Sequence, residues 1–570
     1  MLGKGSDYCI WNDNNNSAGT ISRGGLYWVS GSPGNVTGTI GMPLNSGKYY
    51  WEYTLAGGSA SGVYGIGTGS VAKQTALANL AGAGIKIYGY SPNGSKYEND
   101  SATSYGPTMA VGDTLSVLFD SYTRELVFWM NGVSQGLAYT VAVPNGKDYV
   151  PMLHGNNNGS GPAQVRGNWG QKPFKYKPPE GYKTLNTKNL PVSITRSDQY
   201  VGIVTYTGNS ATRNITGLNF QPDLVWIKDR DAAYNYVLQD SVRGAGSTTK
   251  LASNLQSIQG AGDNAIEWSG FVSSFNKEGF TVDKSGSGAI DWANVNKSSD
   301  KYVAWCWKAG GNKNTFNVDD VGYSSWAATG ISGGDITPSG ASINTKAGFS
   351  IIKWIATTES TPNIPHGLGK LPKFWLIKNI SGSSRDWIAY TTVVDGTLDF
   401  MHLNNQEVIG NSSADAPTTT TFGTYGNDIN TNGETLISYV WTEIPGYSKF
   451  GTFEGNGDSS GTNVTWDGPF VYTGFRPALV IIKSVDSENN WNVQDDVRMS
   501  YNGKAGVVQQ WDTTSSESTI GTGYSRSYFA DGFKITNSNH ETNKPSETFL
   551  YAAWAKNPFG NLYGGQANAR

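Results

Sequence analysis

Three segments in the C-terminal two-thirds of the chain carry one pattern, and that repetition constrains the fold more than any other feature. Pro222-Asp223-Leu224-Val225-Trp226-Ile227-Lys228 returns as Pro372-Lys373-Phe374-Trp375-Leu376-Ile377-Lys378 and again as Pro477-Ala478-Leu479-Val480-Ile481-Ile482-Lys483. Each has a proline, an apolar run and a closing lysine. Asp240, Val242 and Arg243 follow Lys228 at the offsets at which Asp495, Val497 and Arg498 follow Lys483. Each segment closes downstream on an aromatic strand, ending at Trp307, Trp441 and Trp554. Such repetition points to copies of one folded unit rather than to one large active site.

At 570 residues the chain exceeds a single core. Charged residues make up 15%, against about 25% in ordinary globular chains. Glycine is abundant, with 73 residues, alongside 19 Trp and 31 Tyr. This is the composition of a turn-rich all-β protein. The net charge of −3 comes without any basic block, so nucleic-acid binding is not expected. No apolar run is long enough to cross a bilayer, so membrane insertion is not expected either. Residues 1–7 have no apolar signal core, which predicts synthesis in a cytoplasm. Two cysteines, Cys9 and Cys306, exclude a disulfide framework, and Cys306 between two tryptophans reads as a buried small hydrophobe.

Residues 1–177 alternate apolar and polar positions. Leu115, Val117 and Phe119 form one face of a strand, and Asn131-Gly132 reads as a tight hairpin turn with two positive φ angles. Gly47-Lys48-Tyr49-Tyr50-Trp51-Glu52, Gly65-Ile66-Gly67, Gly112-Asp113-Thr114-Leu115-Ser116-Val117 and Leu126-Val127-Phe128-Trp129-Met130-Asn131-Gly132 together resemble the SPRY domain. The resemblance implies a bent, non-enzymatic β-sandwich that binds partners through loops at one edge. By position those loops are residues 12–20, 91–106 and 154–161. Asn93, Tyr97 and Tyr105 are the candidate ligand-surface residues. The two tyrosines either stack on a sugar or peptide or cover the sandwich edge.

Residues 178–197, following on Pro173, continue through Pro178-Pro179 and read as a stiff Pro/Lys-rich spacer. Three β-sandwich modules, jelly-roll-like in class, follow at 198–310, 347–446 and 447–570. Residues 311–346 are a Gly/Ser/Thr-rich linker or insertion. The repeated tryptophans read as core anchors, since each buries roughly 150–250 Å². Lys228, Lys378 and Lys483 end their strands and read as exposed. The Asp240/Arg243 and Asp495/Arg498 pairs read as polar staples within a module.

No metal-ligand spacing joins the four histidines, no Gly-x-Ser-x-Gly elbow is present, and no cofactor is implied. Asp223, Asp229, Asp291 and Glu454 are carboxylates that a glycan-cleaving pair would need. Phe470-Val471-Tyr472-Thr473-Gly474-Phe475-Arg476-Pro477 and Tyr302-Val303-Ala304-Trp305-Cys306-Trp307-Lys308 look like repeats of tail-associated proteins of marine bacteriophages. That resemblance implies a virion protein without catalysis: a tail fibre or tail-tip adhesion protein. Its partners are then other tail proteins and a host surface glycan or protein receptor, and the class implies a trimer. A structural virion component, a glycan-cleaving tailspike and, more remotely, a cellular SPRY adaptor are the alternatives.

Overall fold

The structure, a computed structural model, describes residues 8–558 apart from 32, 59–61, 70–76, 78–79, 81–84, 144–145, 156–160, 192–193, 261–269, 285–291, 427–428, 458–466, 500–501, 503–506 and 518–524. The described residues are almost entirely strands and turns. Asp291 and the C-terminal Ala567-Asn568-Ala569-Arg570 lie outside them.

The N-terminal sandwich grows from Lys48–Gly57. This strand is flanked by Thr114–Asp120 on one side and Gln164–Asn168 on the other. Thr114–Asp120 pairs in unbroken register with Glu125–Met130, from Leu115 opposite Met130 to Asp120 opposite Glu125. Asn131 and Gly132, which turn Glu125–Met130 into the next strand Val133–Thr140, have φ of 48° and 82°, as the hairpin turn requires. Leu115, Val117 and Phe119 face inward with Leu126 and Phe128, and a second sheet centred on Val150–Gly155 covers them. Trp11, Trp51 and Trp169 complete this core.

The proline-rich stretch is not a spacer. Tyr182–Thr184 adds to the sandwich as a parallel strand beside Lys48–Gly57, and Leu185 is buried in its core. Just upstream, the backbone N–H groups of Lys175 and Tyr176 both donate to the buried Glu52 carboxylate, at 2.9 and 2.8 Å. That accounts for a buried Glu, since a carboxylate away from water must find donors.

The remaining sheets repeat one strand order. In the first module the opening strand Val201–Thr207 pairs with the closing strand Lys301–Trp307, which pairs with Leu224–Asp229, then Val237–Asp240. The second has Phe349–Ile355, Thr435–Thr442, Pro372–Asn379 and Ile388–Thr391 in that order. The third has Ser448–Glu454, Thr548–Asn557, Arg476–Ser484 and Asn492–Asp495. Residues 311–346 are no linker, because Phe316–Val318, Val321–Tyr323 and Gly340–Asn344 extend one edge of the second sheet, which with Asp399–His402 and Gly410–Asn411 at the other edge has nine strands.

The central strands carry apolar residues on both faces because both faces are buried. In the first module Val225 and Ile227 pack outward with Val272, Phe280 and Val282, on strands of a small second sheet. Leu224 and Trp226 point the other way, into one core shared with the second and third modules. Three large sheets thus turn their inner faces to each other. Trp307, Trp441 and Trp554, one from each closing strand, form a triangle with ring centroids 5.9, 5.8 and 5.5 Å apart. The repeated tryptophans are core anchors. Trp226, Trp305, Trp375 and Trp441 are all buried, worth several kcal/mol each at about 25 cal/mol/Å² as an upper bound.

The three lysines are buried, contrary to their reading as exposed strand ends. Each ammonium caps backbone carbonyls. Lys228 Nζ donates to Asp229 O at 2.8 Å and Ala232 O at 3.1 Å. Lys378 Nζ reaches Gln256 O in the first module, at 2.6 Å. Lys483 Nζ reaches Gln406 O in the second, at 3.1 Å. Burial pulls Lys228 and Lys483 down to about 8.

The Asp/Arg pairs also do more than staple their own modules. Asp240 Oδ2 binds Arg243 Nε at 2.5 Å and accepts from Tyr439 of the second module at 2.8 Å. Asp495 Oδ2 binds Arg498 Nε at 2.6 Å and accepts from Trp305 Nε1 of the first module at 3.0 Å. Tyr236, Trp387 and Trp491 sit at matching places and donate across the seams. Their targets are Gln510 O at 2.8 Å, Ala252 O at 2.9 Å and His402 O at 3.0 Å. The donors run first to third, second to first and third to second, so the three modules close into a ring.

Candidate functional site

The sandwich is anchored to the ring through one flank. Asn12 Nδ2 donates to Asp531 at 3.0 Å, Lys534 Nζ donates to Asn14 O at 3.0 Å, and Lys449 pairs with Asp148 at 2.8 Å. This flank uses part of residues 12–20, so the first of the three expected binding loops is turned into the molecule. In the third, His154 is buried, with Nδ1 2.8 Å from Asn35 Oδ1, and residues 156–160 lie outside the described ones.

The second loop, residues 91–106, folds as a hairpin of Ser95–Glu98 and Ser101–Ser104. Asn93 is exposed, and its Oδ1 accepts from Ser95 N at 2.9 Å, forming the turn. Tyr97 is half-buried against Val63, Ile87 and Met152. Tyr105 is half-buried, packs edge-on against Tyr90 and Phe128, and donates its hydroxyl to Gly136 O at 2.5 Å. Burial pushes its phenol up to about 12. Both tyrosines therefore cover the sandwich edge, the second of the two readings open from sequence.

What Tyr105 covers is the edge strand Val133–Thr140, which among the described residues pairs only with Glu125–Met130. Tyr105 takes the Gly136 carbonyl and Lys96 Nζ takes the Ala138 carbonyl at 2.8 Å. The Lys96 ammonium lies over the rings of Tyr105 and Tyr139, at 5.3 and 4.8 Å. Plugged in this way, the edge cannot accept a further strand along that stretch. Its side chains remain available. Val133 is 65% exposed and Leu137 is 51% exposed, beside the fully exposed strand Ser101–Ser104.

Period-2 reading of this strand would place Val133 and Leu137 together on one face, with Ser134 and Ala138 on the other. The register slips twice against Glu125–Met130 and Gly136 at φ 82° kinks the strand, so Val133 sits opposite Met130 and Leu137 opposite Val127, on different faces, and both are exposed. Ala138 is buried instead. Val133 and Leu137 are the residues sequence reasoning missed. The signal that could have found them is a glycine inside a strand.

The carboxylates read as available are otherwise engaged. Asp223 accepts from Ala309 N at 2.8 Å and Gly311 N at 3.1 Å, and burial pushes it up to about 6. Asp229 accepts from Asp231 N and Ala232 N, both at 2.8 Å. Glu454 lines a cavity. No group of three His, Cys, Asp or Glu side chains suited to a metal occurs among the described residues.

Comparison with known proteins divides the chain in the same place. The family model described as "Domain of unknown function (DUF7483)" matches residues 196–558. The model of the SPRY domain matches residues 48–161. A Ran-binding proteins 9/10 homolog of Drosophila melanogaster is 28% identical over 138 residues, covering 24% of this chain and 13% of that protein. Ran-binding protein 9 of Homo sapiens is 27% identical over 157 residues, 27% of this chain and 20% of that protein. The chain thus spans a small part of the curated relatives it matches. Among solved structures, the SPRY domain of human HERC1 aligns at 16% identity and a TM-score of 0.23, covering 29% of this chain and 99% of that one.

These relatives correct the expectation of a bacteriophage protein. They are cellular Ran-binding proteins, and none of those named is a virion component. The tail-fibre and tail-tip readings fall with it, as do the structural virion and tailspike alternatives. So do the tail-protein and host-receptor partners, the trimer and the virion location.

Proposed function

We propose a non-enzymatic, protein-binding role for this chain, which belongs to the DUF7483 family and carries a SPRY domain ahead of that family's segment. The observation that supports the reading is the exposure of two apolar side chains, Val133 and Leu137, on an edge strand whose backbone is already plugged. Exposed apolar side chains on a rigid scaffold, rimmed by polar residues, suit a protein partner better than a sugar. The DUF7483 ring serves as the platform. It is sealed inward by its aromatic core and holds the sandwich by the opposite flank, so the rim faces away from it.

The relatives that share the sandwich are named for binding Ran, so a Ran-type GTPase is the first purified partner to test, alongside a displayed peptide library. The full chain should bind Ran or enrich peptides with apolar side chains. Val133→Asp/Leu137→Asp should abolish that binding with an unchanged melting temperature, since exposed substitutions cost within about 0.5 kcal/mol. Binders that ignore the double substitution would place the site elsewhere, and failure to enrich any binder would remove the reading.

A further inference from the structure

A cleft of about 50 Å³ lies between the sandwich and the third module. That is space for a few water-sized groups. Val150 on the sandwich side and Phe453 and Phe470 on the module side give it apolar walls. Two opposite charges also line it: Lys147 from the sandwich and Glu454 from the module.

The two charges attract each other without closing into an ion pair. Glu454 Oε1 accepts from Thr548 Oγ1 at 3.1 Å, its one hydrogen bond among the described residues. Lys147 Nζ has no hydrogen-bond or ion-pair partner among them. Neighbouring Asp148 is not available to it, being held by Lys449 at 2.8 Å. Burial lowers the Lys147 pKa and raises that of Glu454, the signature of charges short of partners. Charges taken from water without partners are costly, so the arrangement favours an occupant that supplies both complements.

We propose that this cleft binds a small zwitterion of the α-amino acid class, its carboxylate on Lys147, its ammonium on Glu454 and any short apolar side chain against Phe453 and Phe470. A lone carboxylate would leave Glu454 unmatched, and a lone amine would leave Lys147 unmatched. Because the two charges belong to different domains, the ligand would also tie the sandwich to the ring.

Calorimetric titration and thermal shift of the full chain with glycine, L-alanine, acetate and methylammonium test this. Glycine or alanine should bind and raise the melting temperature, while acetate and methylammonium alone should bind at least about tenfold more weakly. Lys147→Met and Glu454→Gln should each weaken amino-acid binding about tenfold. Absence of binding by either amino acid, or equal binding of acetate, would overturn the proposal on the unaltered chain alone. Wild-type affinity in both variants would overturn it as well.

Discussion

The seams inside the ring and the seam between ring and sandwich are built from different materials. Inside the ring, aromatic faces meet: Trp226 stacks on Trp511 at 3.8 Å, and the three closing tryptophans meet on the axis. Between ring and sandwich the contacts include the Lys449–Asp148 ion pair, Asn12 on Asp531, Lys534 on Asn14 O, one aromatic ring, Tyr472, packed against the sandwich core, and a cleft. A module that separated from its neighbours would expose a whole apolar sheet face. The sandwich would lose the Tyr472 contact and a few polar bonds and keep its own core. The three modules therefore form one folding unit, and the sandwich a second that is docked onto it.

The sharpest way to break this contrast is Trp441→Ala. The ring of Trp441 touches Phe349, Phe374, Trp307 and Trp554, with centroids 4.8 to 5.9 Å away. Its loss should cost about 3–5 kcal/mol, a large share of a stability of about 5–15 kcal/mol. Calorimetry should then resolve two transitions, with the ring's moved down and the sandwich's unmoved. A single transition shifted as a whole would mean that ring and sandwich unfold together.

The ring's own seams differ among themselves, and Arg498→Ala probes that. By register, Trp305, Tyr439 and Ala552 are equivalent, as are Asp240, Thr391 and Asp495. Two seams thus have an aromatic donor on a buried Asp–Arg pair, and the third has Ala552 and Thr391. Removing Arg498 strands Asp495 and one bond to Glu517. The loss should be about 3 kcal/mol, below that of Trp441→Ala and confined to the ring's transition. A change within about 0.5 kcal/mol would make the pair dispensable, as the third seam already manages without one.

Much of this was legible in the chain. Leu115, Val117 and Phe119, the Asn131-Gly132 turn and the repeated Pro-to-Lys segments report local periodicity and turn chemistry, which sequence carries directly. The SPRY sandwich was legible in the same way. The burial of Lys378 and Lys483 was not, because the carbonyls of Gln256 and Gln406 that they cap come from loops remote in sequence, and Lys228 caps carbonyls of its own turn, which only the fold buries. Ring closure was hidden for the same reason: Tyr236 meets Gln510 only in the fold. The rim was misplaced because aromatic residues such as Tyr105 draw attention, whereas the exposure of Val133 and Leu137 follows from an edge strand broken by a bulge. The assignment to a virion was drawn from repeat likeness, which speaks of architecture and not of setting.

The smallest effect expected is at the docking seam, where Asp531 gives it a pH dependence. This carboxyl is buried beside Asn12, and burial pushes it up to about 7, against about 3.9 in an unfolded chain. Between those values the folded state holds a proton that the unfolded state releases. Stability from this group is therefore greatest below about pH 4, falls as pH rises towards 7 and is flat above. Asp531→Asn keeps an oxygen to accept from Asn12 and removes the titration. It should leave the chain unchanged at pH 4 and stabilise it at pH 8 by on the order of 1 kcal/mol. Asp512, pushed up to about 7 within the ring, has the same sign, so Asp512→Asn provides the contrast. If the seam is a separate docking contact, Asp531→Asn should slow cleavage between sandwich and ring at pH 8 without moving the ring's melting temperature. An equal shift of the ring's transition in both variants would show that the seam belongs to the ring's cooperative unit.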